Sequence, residues 1–269
     1  MQEPYSVRSK LNYTLDNGLV PEYYFYQPAA DVVVNPPGND TREVEIHNGW
    51  DQAAQFSVDR EGFMLRPCPI AFDCWGDDHA VRKDFFASVT SFMREHLGAR
   101  RVHVFDYNVR SKAFTAPTTS AANPVRLVHS DYTPLSGPQR LRDVLPEEAD
   151  DLQTRRFAFF NLWKPINRRV EELPLAVCDV GSTVAADLLP MKLRYPDRTG
   201  EIYAMRHSTQ HHWVYFPRME TSQALLLKCY DSELDGRARF MAHSAFEDPS
   251  SPADAPTRES IEIRTMAFF

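Results

Sequence analysis

The run Val128-His129-Ser130-Asp131-Tyr132-Thr133-Pro134 decides how the rest of this chain is read. In an extended segment successive side chains alternate faces, so His129 and Asp131 project from one side about 7 Å apart. An imidazole nitrogen and a carboxylate oxygen converging from one face supply two ligands of a 2-His-1-carboxylate facial site for non-haem iron(II). The third ligand must then be a histidine brought in by the fold. His243, in the strand-like run Arg239-Phe240-Met241-Ala242-His243-Ser244-Ala245-Phe246, is the first candidate, with His211 or His212 in reserve. Of nine histidines only His129 has a carboxylate two residues on, but among 37 acidic residues one such pair is little more than chance supplies. The pair gains weight only if the rest of a site follows in a consistent order.

At 269 residues the chain is long for one domain, yet ordinary for a barrel or sandwich with added helices. Its 43% hydrophobic fraction is ample for a buried core, and 20 prolines against 10 glycines suggest stiff loops rather than flexible linkers. A formal charge of -7 argues against a broad phosphate-binding surface, so nucleic acid is not an expected partner. Cys68, Cys74, Cys178 and Cys229 show neither a C-x-x-C pair nor zinc spacing, as for reduced thiols. The start, Met1-Gln2-Glu3-Pro4-Tyr5, lacks the basic and apolar regions of a secretory signal. No apolar stretch approaches the roughly 20 residues that span a bilayer. A soluble, cytoplasmic protein with no membrane partner is expected.

Residues 1 to about 40, rich in Tyr, Pro and Asn, read as an extended arm wrapping the body, with Val44–His47 as a short strand. Asp77-Asp78 followed by Val81, Phe85, Phe86, Val89, Phe92, Met93 and Leu97, then Gly98, is the clearest helix, of the kind that packs on a sheet. Arg101–Asp106 alternates as a strand, and Pro146–Leu152 reads as a polar helix with proline early in it. After it come strand-like runs at Phe157–Trp163, Glu201–Met205, His212–Phe216, Ala224–Tyr230, Arg239–Phe246 and Ser260–Phe269. Short strands with polar turns between them suggest a closed or double-sheet β structure in one domain over 1–269.

A facial site leaves three iron positions open. The usual co-substrate, 2-oxoglutarate, fills two of them through its 1-carboxylate and 2-keto oxygens, and dioxygen takes the third. Its far carboxylate needs a buried cation, for which the planar fork of arginine is suited. Arg258 lies fifteen residues after His243, and Arg258 and Ser260 share a face of the last strand, with Arg264 in reserve on that face and Lys228 as a further cation. Asn161, inside the apolar strand between Phe159 and Trp163, is either a structural hydrogen-bonding residue or a co-substrate contact. No G-x-S-x-G, G-x-G-x-x-G or Walker loop occurs.

Seven stretches in order, V-H-S-D-Y-T-P, F-F-N-L-W-K-P-I, P-L-A-V-C-D, H-H-W-V-Y-F-P-R-M, L-K-C-Y-D-S, A-H-S-A-F-E-D-P and R-E-S-I-E-I-R, resemble the fungal hydroxylase/desaturase family. That family also includes gibberellin desaturase-like and cephalosporin 7α-methoxylase subunit-like proteins, and the resemblance runs from about residue 35 to the end. It implies an iron(II)- and 2-oxoglutarate-dependent oxygenase on a mainly β fold with flanking helices, a jelly-roll, cupin-like double-stranded β-helix over about residues 100–269. Carried over by position, His129, Asp131 and His243 match the iron ligands and Arg258 the co-substrate anchor.

The expected reaction is hydroxylation, desaturation or oxidative cyclisation of a small secondary metabolite or amino-acid-derived substrate, in a monomer or homodimer. Three positions depart from the family pattern: Tyr107 where histidine is usual, Lys164 where arginine follows Trp163, and His212 where arginine precedes Trp213. Each is a candidate for lining the substrate pocket. The alternatives are a non-catalytic accessory subunit on the same fold, and a cupin-type metal enzyme that uses no 2-oxoglutarate.

Overall fold

Alternating burial along Ser6–Thr14, with Val7, Ser9, Leu11 and Tyr13 turned inward, makes a strand (β1) of a stretch expected to lie over the body as an arm. The computed structural model describes residues 5–111 and 124–269, so Met1–Pro4 of that arm lie outside it. Glu22–Tyr24 (β2) is a short edge strand, followed by Asn39–Asn48 (β3), Phe63–Pro67 (β4) and Arg101–Arg110 (β5). His129–Ser130 (β6) is two residues long, and Phe157–Pro165 (β7) is buried throughout. Leu175–Cys178 (β8), Leu188–Arg194 (β9), Thr199–Met205 (β10) and Trp213–Tyr215 (β11) come next. Gln223–Asp231 (β12), His243–Ala245 (β13) and Ser260–Phe268 (β14) complete the strands.

They build two sheets, one of nine strands in the order β1-β3-β11-β8-β13-β6-β10-β9-β2 and one of five, β4-β12-β7-β14-β5. The sheets face each other across a core to which Leu175, Val177 and Val214 contribute from one side, and Phe63, Phe159, Trp163, Leu227 and Met266 from the other. This is the curled, mainly β double-stranded β-helix expected from the sequence, a jelly-roll with flanking helices. Its strands begin earlier than residue 100, because β1, β3 and β4 all belong to the sheets. The larger sheet also curls back on itself. An isolated parallel bridge joins Asn12 to Leu127, with Val128 N donating to the Asn12 carbonyl at 3.0 Å, so β1 meets the strand that carries His129. Tyr13, Ile46, Trp213, Tyr215 and Phe246 fill the space inside this curl.

The expected helix covers the outer face of the smaller sheet. Asp77 caps it by accepting from Ala80 N at 3.1 Å, a first turn Asp78–Ala80 (α1) passes through a π-helical turn Val81–Phe85, and Phe86–Leu97 (α2) completes it. Gly98 ends it at φ +65°, a left-handed value that glycine adopts without a Cβ clash. Val81, Phe85, Val89 and Met93 are buried against Tyr107, Val109, Phe160, Leu162 and Ile263, each large side chain stabilising by about 1.5–3 kcal/mol. Ser136–Val144 (α3) is a helix that the sequence reading passed over, since its Gly137-Pro138 start resembles a turn. Gly137 is required there because an added Cβ would lie 2.8 Å from the Tyr230 ring. The polar helix expected from Pro146 is shorter, Ala149–Leu152 (α4), and the strand expected over Arg239–Phe246 is only its last part, β13.

Candidate metal centre

β6 and β13 are adjacent antiparallel strands in which His129 and His243 are direct partners, so both rings emerge on the same face. Their centroids are 4.5 Å apart. The chain does not continue as a strand to Asp131. It bends after Ser130, which closes the approximately 7 Å step of an extended segment and brings Asp131 Oδ1 to 3.5 Å from His129 Nε2. One ligand atom from each of His129, Asp131 and His243 falls within 4.8 Å of the others, the only such group of three or more among the described residues. His129 Nδ1 donates to the Leu127 carbonyl at 2.8 Å, which leaves Nε2 as the ring nitrogen turned to Asp131 and the one a metal ion would take on losing its proton.

The donor set suits a divalent cation. Burial pushes the Asp131 carboxyl up, but the hydrogen bond with His129 and the nearby His243 outweigh it and hold the group far below the usual carboxylate range. Burial, then the neighbouring His129, lowers His243. Burial alone would lower His129 too, but its hydrogen bond and charge interaction with Asp131 raise it. A carboxylate and two imidazoles are thus crowded into a dry site, and His243 Nδ1 is buried with no hydrogen-bond partner. A metal ion with nitrogen and oxygen affinity relieves that arrangement.

A cation is buried on the facing side of the core. Arg258, 5% exposed, precedes β14. Its Nη1 donates to the Leu173 carbonyl at 2.6 Å, and its guanidinium lies 5.5 Å from the Trp163 ring centre. Burial, then the charge of Arg110, lowers Arg258 to about 9. Arg258 Nε and Ser260 Oγ are both buried without partners. Asn161 contacts Asp131 and Trp163, two residues along β7, contacts Arg258. The two contacts thus come from residues one strand repeat apart on one face of β7.

Other candidates are differently placed. The Asn161 amide is committed to Asp131 Oδ2 at 2.6 Å. Arg264, the reserve anchor, forms 2.9 Å ion pairs with Asp106 and Glu262. Lys228 is fully buried between Asp59 and Asp231. His211 sits inside the curl of the larger sheet against Tyr13 and Asp187, and His212 stacks on His47. None of the three departures from the family pattern contacts the three-ligand group. Tyr107 donates to Asp78 at 2.7 Å on the helix-covered face, Lys164 is turned to the Ile70 carbonyl on that face, and His212 stacks on His47 of β3, three strands along the larger sheet from β13.

Sequence reasoning missed Cys229, whose thiol is 3.8 Å from Asp131 Oδ2, and Glu262, paired with Arg264. Alternation from Ser260 through Glu262 to Arg264 was signal enough for the glutamate. Cys229 sits where β12 slips register between Lys228 and Tyr230, and Phe105 where β5 slips against β14. Such bulges re-aim side chains beside active sites and leave no mark in composition.

Residues 11–268 match a family model described as "Oxidoreductase/YMDC permease-like domain". A hydroxylase/desaturase, efuI, of Hormonema carpetanum is 29% identical over 86% of this chain and 84% of its own length. The Fe(II)/2-oxoglutarate-dependent dioxygenase nvfI of Aspergillus novofumigatus is 33% identical over 84% of this chain and 83% of its own. The chain belongs to this oxygenase family. A solved structure of a variant of the iron and alpha-ketoglutarate-dependent endoperoxidase NvfI superposes with a TM-score of 0.89 at 26% identity, covering 100% of this chain and 99% of that one. The chain is thus similar throughout to iron(II)/2-oxoglutarate-dependent dioxygenases, which use iron(II), 2-oxoglutarate and dioxygen. These relatives lend no support to the accessory-subunit alternative. No helix among the described residues is long and apolar enough to cross a membrane.

Proposed function

We propose that His129, Asp131 and His243 hold iron(II), that Arg258 and Ser260 bind the far carboxylate of 2-oxoglutarate, and that one domain oxidises a small secondary metabolite. The observation that carries this reading is a three-ligand group on the inner face of one sheet, with two partnerless buried donors, Arg258 Nε and Ser260 Oγ, at the start of a strand of the facing sheet. Iron(II) with 2-oxoglutarate and dioxygen supplies the power to oxidise an unactivated C–H bond. The chain's residues supply the rest. Leu127 and Asn161 orient two of the ligands, Arg258 and Ser260 fix the co-substrate's distance from them, and the surrounding core excludes water.

Tyr132, its ring tilted against Phe159 with centres 4.4 Å apart, and the half-buried Phe105 offer an apolar wall beside Asp131 for the substrate's carbon skeleton. Whether oxygen is inserted or a second hydrogen removed, giving alcohol, alkene or ring, is set by where that wall holds the target carbon. The free cysteines fit a cytoplasmic enzyme. The exposed Leu19, Val20, Tyr23, Phe25 and Val33 offer an apolar face for a homodimer.

Anaerobic titration of the iron(II)-loaded protein with 2-oxoglutarate tests the site. A visible metal-to-ligand charge-transfer band, absent in His129→Ala and demanding more 2-oxoglutarate in Arg258→Ala, is expected. No band in protein shown to contain iron would reject the co-substrate site and favour a cupin-type reaction.

A further inference from the structure

The two oxygens of Asp131 are in different surroundings. Oδ1 faces His129 Nε2 at 3.5 Å. Oδ2 is turned away from the histidine, accepts a 2.6 Å hydrogen bond from Asn161 Nδ2, and has the Cys229 thiol 3.8 Å away. The donor of that short bond is firmly held. Asn161 is 1% exposed, in the middle of a strand paired on both sides, opposite Leu227 of β12 and Arg264 of β14. The bulge at Cys229 brings an extra side chain onto the inner face, where Cys229 and Tyr230 both join the core between the sheets. The thiol closes the remaining space at Oδ2, while its distance marks it as a weak donor.

We propose that Asn161 is a positioning residue that engages Asp131 Oδ2, so that Asp131 offers a metal ion one oxygen rather than two. This rests on the metal reading above. Two imidazoles and one carboxylate oxygen leave three of six octahedral positions, the number needed by a chelating keto acid and dioxygen together. A carboxylate free to turn can grip a metal through both oxygens and take one of the three. The amide prevents that turn and costs the site no charge, since asparagine is neutral. It also accounts for an amide in the middle of an otherwise apolar strand. Cys229 acts as a packing neighbour of the same oxygen.

Cobalt(II), whose visible d–d absorption reports coordination, is the probe. It is titrated anaerobically into metal-free wild type and the Asn161→Ala, Asn161→Thr, Cys229→Ala and His129→Ala variants. Threonine suits a strand and is close to asparagine in size, so it guards against a folding defect of the alanine variant. Asn161→Ala and Asn161→Thr are expected to bind cobalt with a shifted and weaker d–d absorption, because the freed carboxylate adds a second oxygen to the metal's coordination. Cys229→Ala should keep both affinity and spectrum. If both Asn161 variants match wild type in spectrum, while His129→Ala loses the metal, the clamp is overturned and the metal centre stands. A wild type that takes up no cobalt, or a His129→Ala variant that binds it unchanged, overturns the metal centre and the clamp with it.

Discussion

Two buried polar clusters in this molecule are alike in composition and opposite in state. Inside the curl of the larger sheet, Trp213 Nε1 donates to Tyr13 OH at 2.7 Å, and Tyr13 OH meets His211 Nδ1 at 3.2 Å. His211 Nε2 meets Asp187 at 3.2 Å, and Asp187 accepts from Val184 N at 2.9 Å. Every link has a partner within the protein. Between the sheets, by contrast, His243 Nδ1, Arg258 Nε and Ser260 Oγ are buried with none. Folded chains rarely leave buried polar atoms unsatisfied, so the second cluster is built for something the chain does not itself provide. Histidine and tyrosine density would have pointed to the first cluster, whereas unmet hydrogen-bonding capacity points to the second.

The contrast is sharpest at His243. His243→Ala should abolish stoichiometric iron(II) binding while His211→Ala keeps it, as read by metal analysis after anaerobic loading; the reverse result would exchange the roles of the two clusters. Lys228 belongs with the self-satisfied class, paired with Asp59 and Asp231, and Asp231 in turn with Arg156 at 2.7 Å. Lys228→Met leaves Asp231 buried without its lysine and should cost about 3–5 kcal/mol of stability in denaturant unfolding, with no change in 2-oxoglutarate demand.

Asp231 also sets a pH dependence. Burial pushes its carboxyl up, but Arg156 and Lys228 outweigh it and lower it below the usual value. Its contribution is therefore complete above the ordinary carboxylate range and lost as pH falls through the lowered value. An acid unfolding limb that weakens in Lys228→Met is the expected signature.

Arg258→Ala should raise the 2-oxoglutarate concentration for half-maximal succinate release by roughly 10–100-fold, about 1.5–3 kcal/mol for a charge-assisted contact, with little change in melting. An unchanged requirement would transfer the anchor to Arg264. The smallest effect is expected at Tyr13→Phe. Removing one link of the satisfied chain should cost about 1 kcal/mol in stability and leave cobalt affinity untouched. A loss of metal there would mean that the two clusters are coupled.

The sequence made the site's chemistry easier to read than its surroundings. His129 and Asp131 stand two apart, and Arg258 and Ser260 share a face, so period-two alternation alone grouped them. The same alternation was present in Ser6–Thr14, yet the prolines and tyrosines that follow made the whole segment look like an arm. Burial of Val7, Leu11 and Tyr13 shows that the pattern outranked the composition. The destination of Asn161 could not be read, because its partner is 30 residues away and reaches it through the bend after Ser130. Nor could the outward facing of Tyr107 and Lys164 be judged before the sheet that carries them had two defined faces. Two register slips, at Cys229 and Phe105, change the facing of side chains without changing local sequence character.

The bridge between Asn12 and Leu127 has a consequence for how the molecule assembles. The strands bearing the two histidines are only two and three residues long, too short to persist by themselves. They are held in a ring completed by contacts between residue 12 and residue 127 and between residue 46 and residue 213. Closing such distant pairs costs chain entropy, so the alignment of the two histidines depends on the docking of the first strand. A change at Asn12 or Leu127, neither of which touches the three-ligand group, would therefore be felt there as a loosened register between β6 and β13.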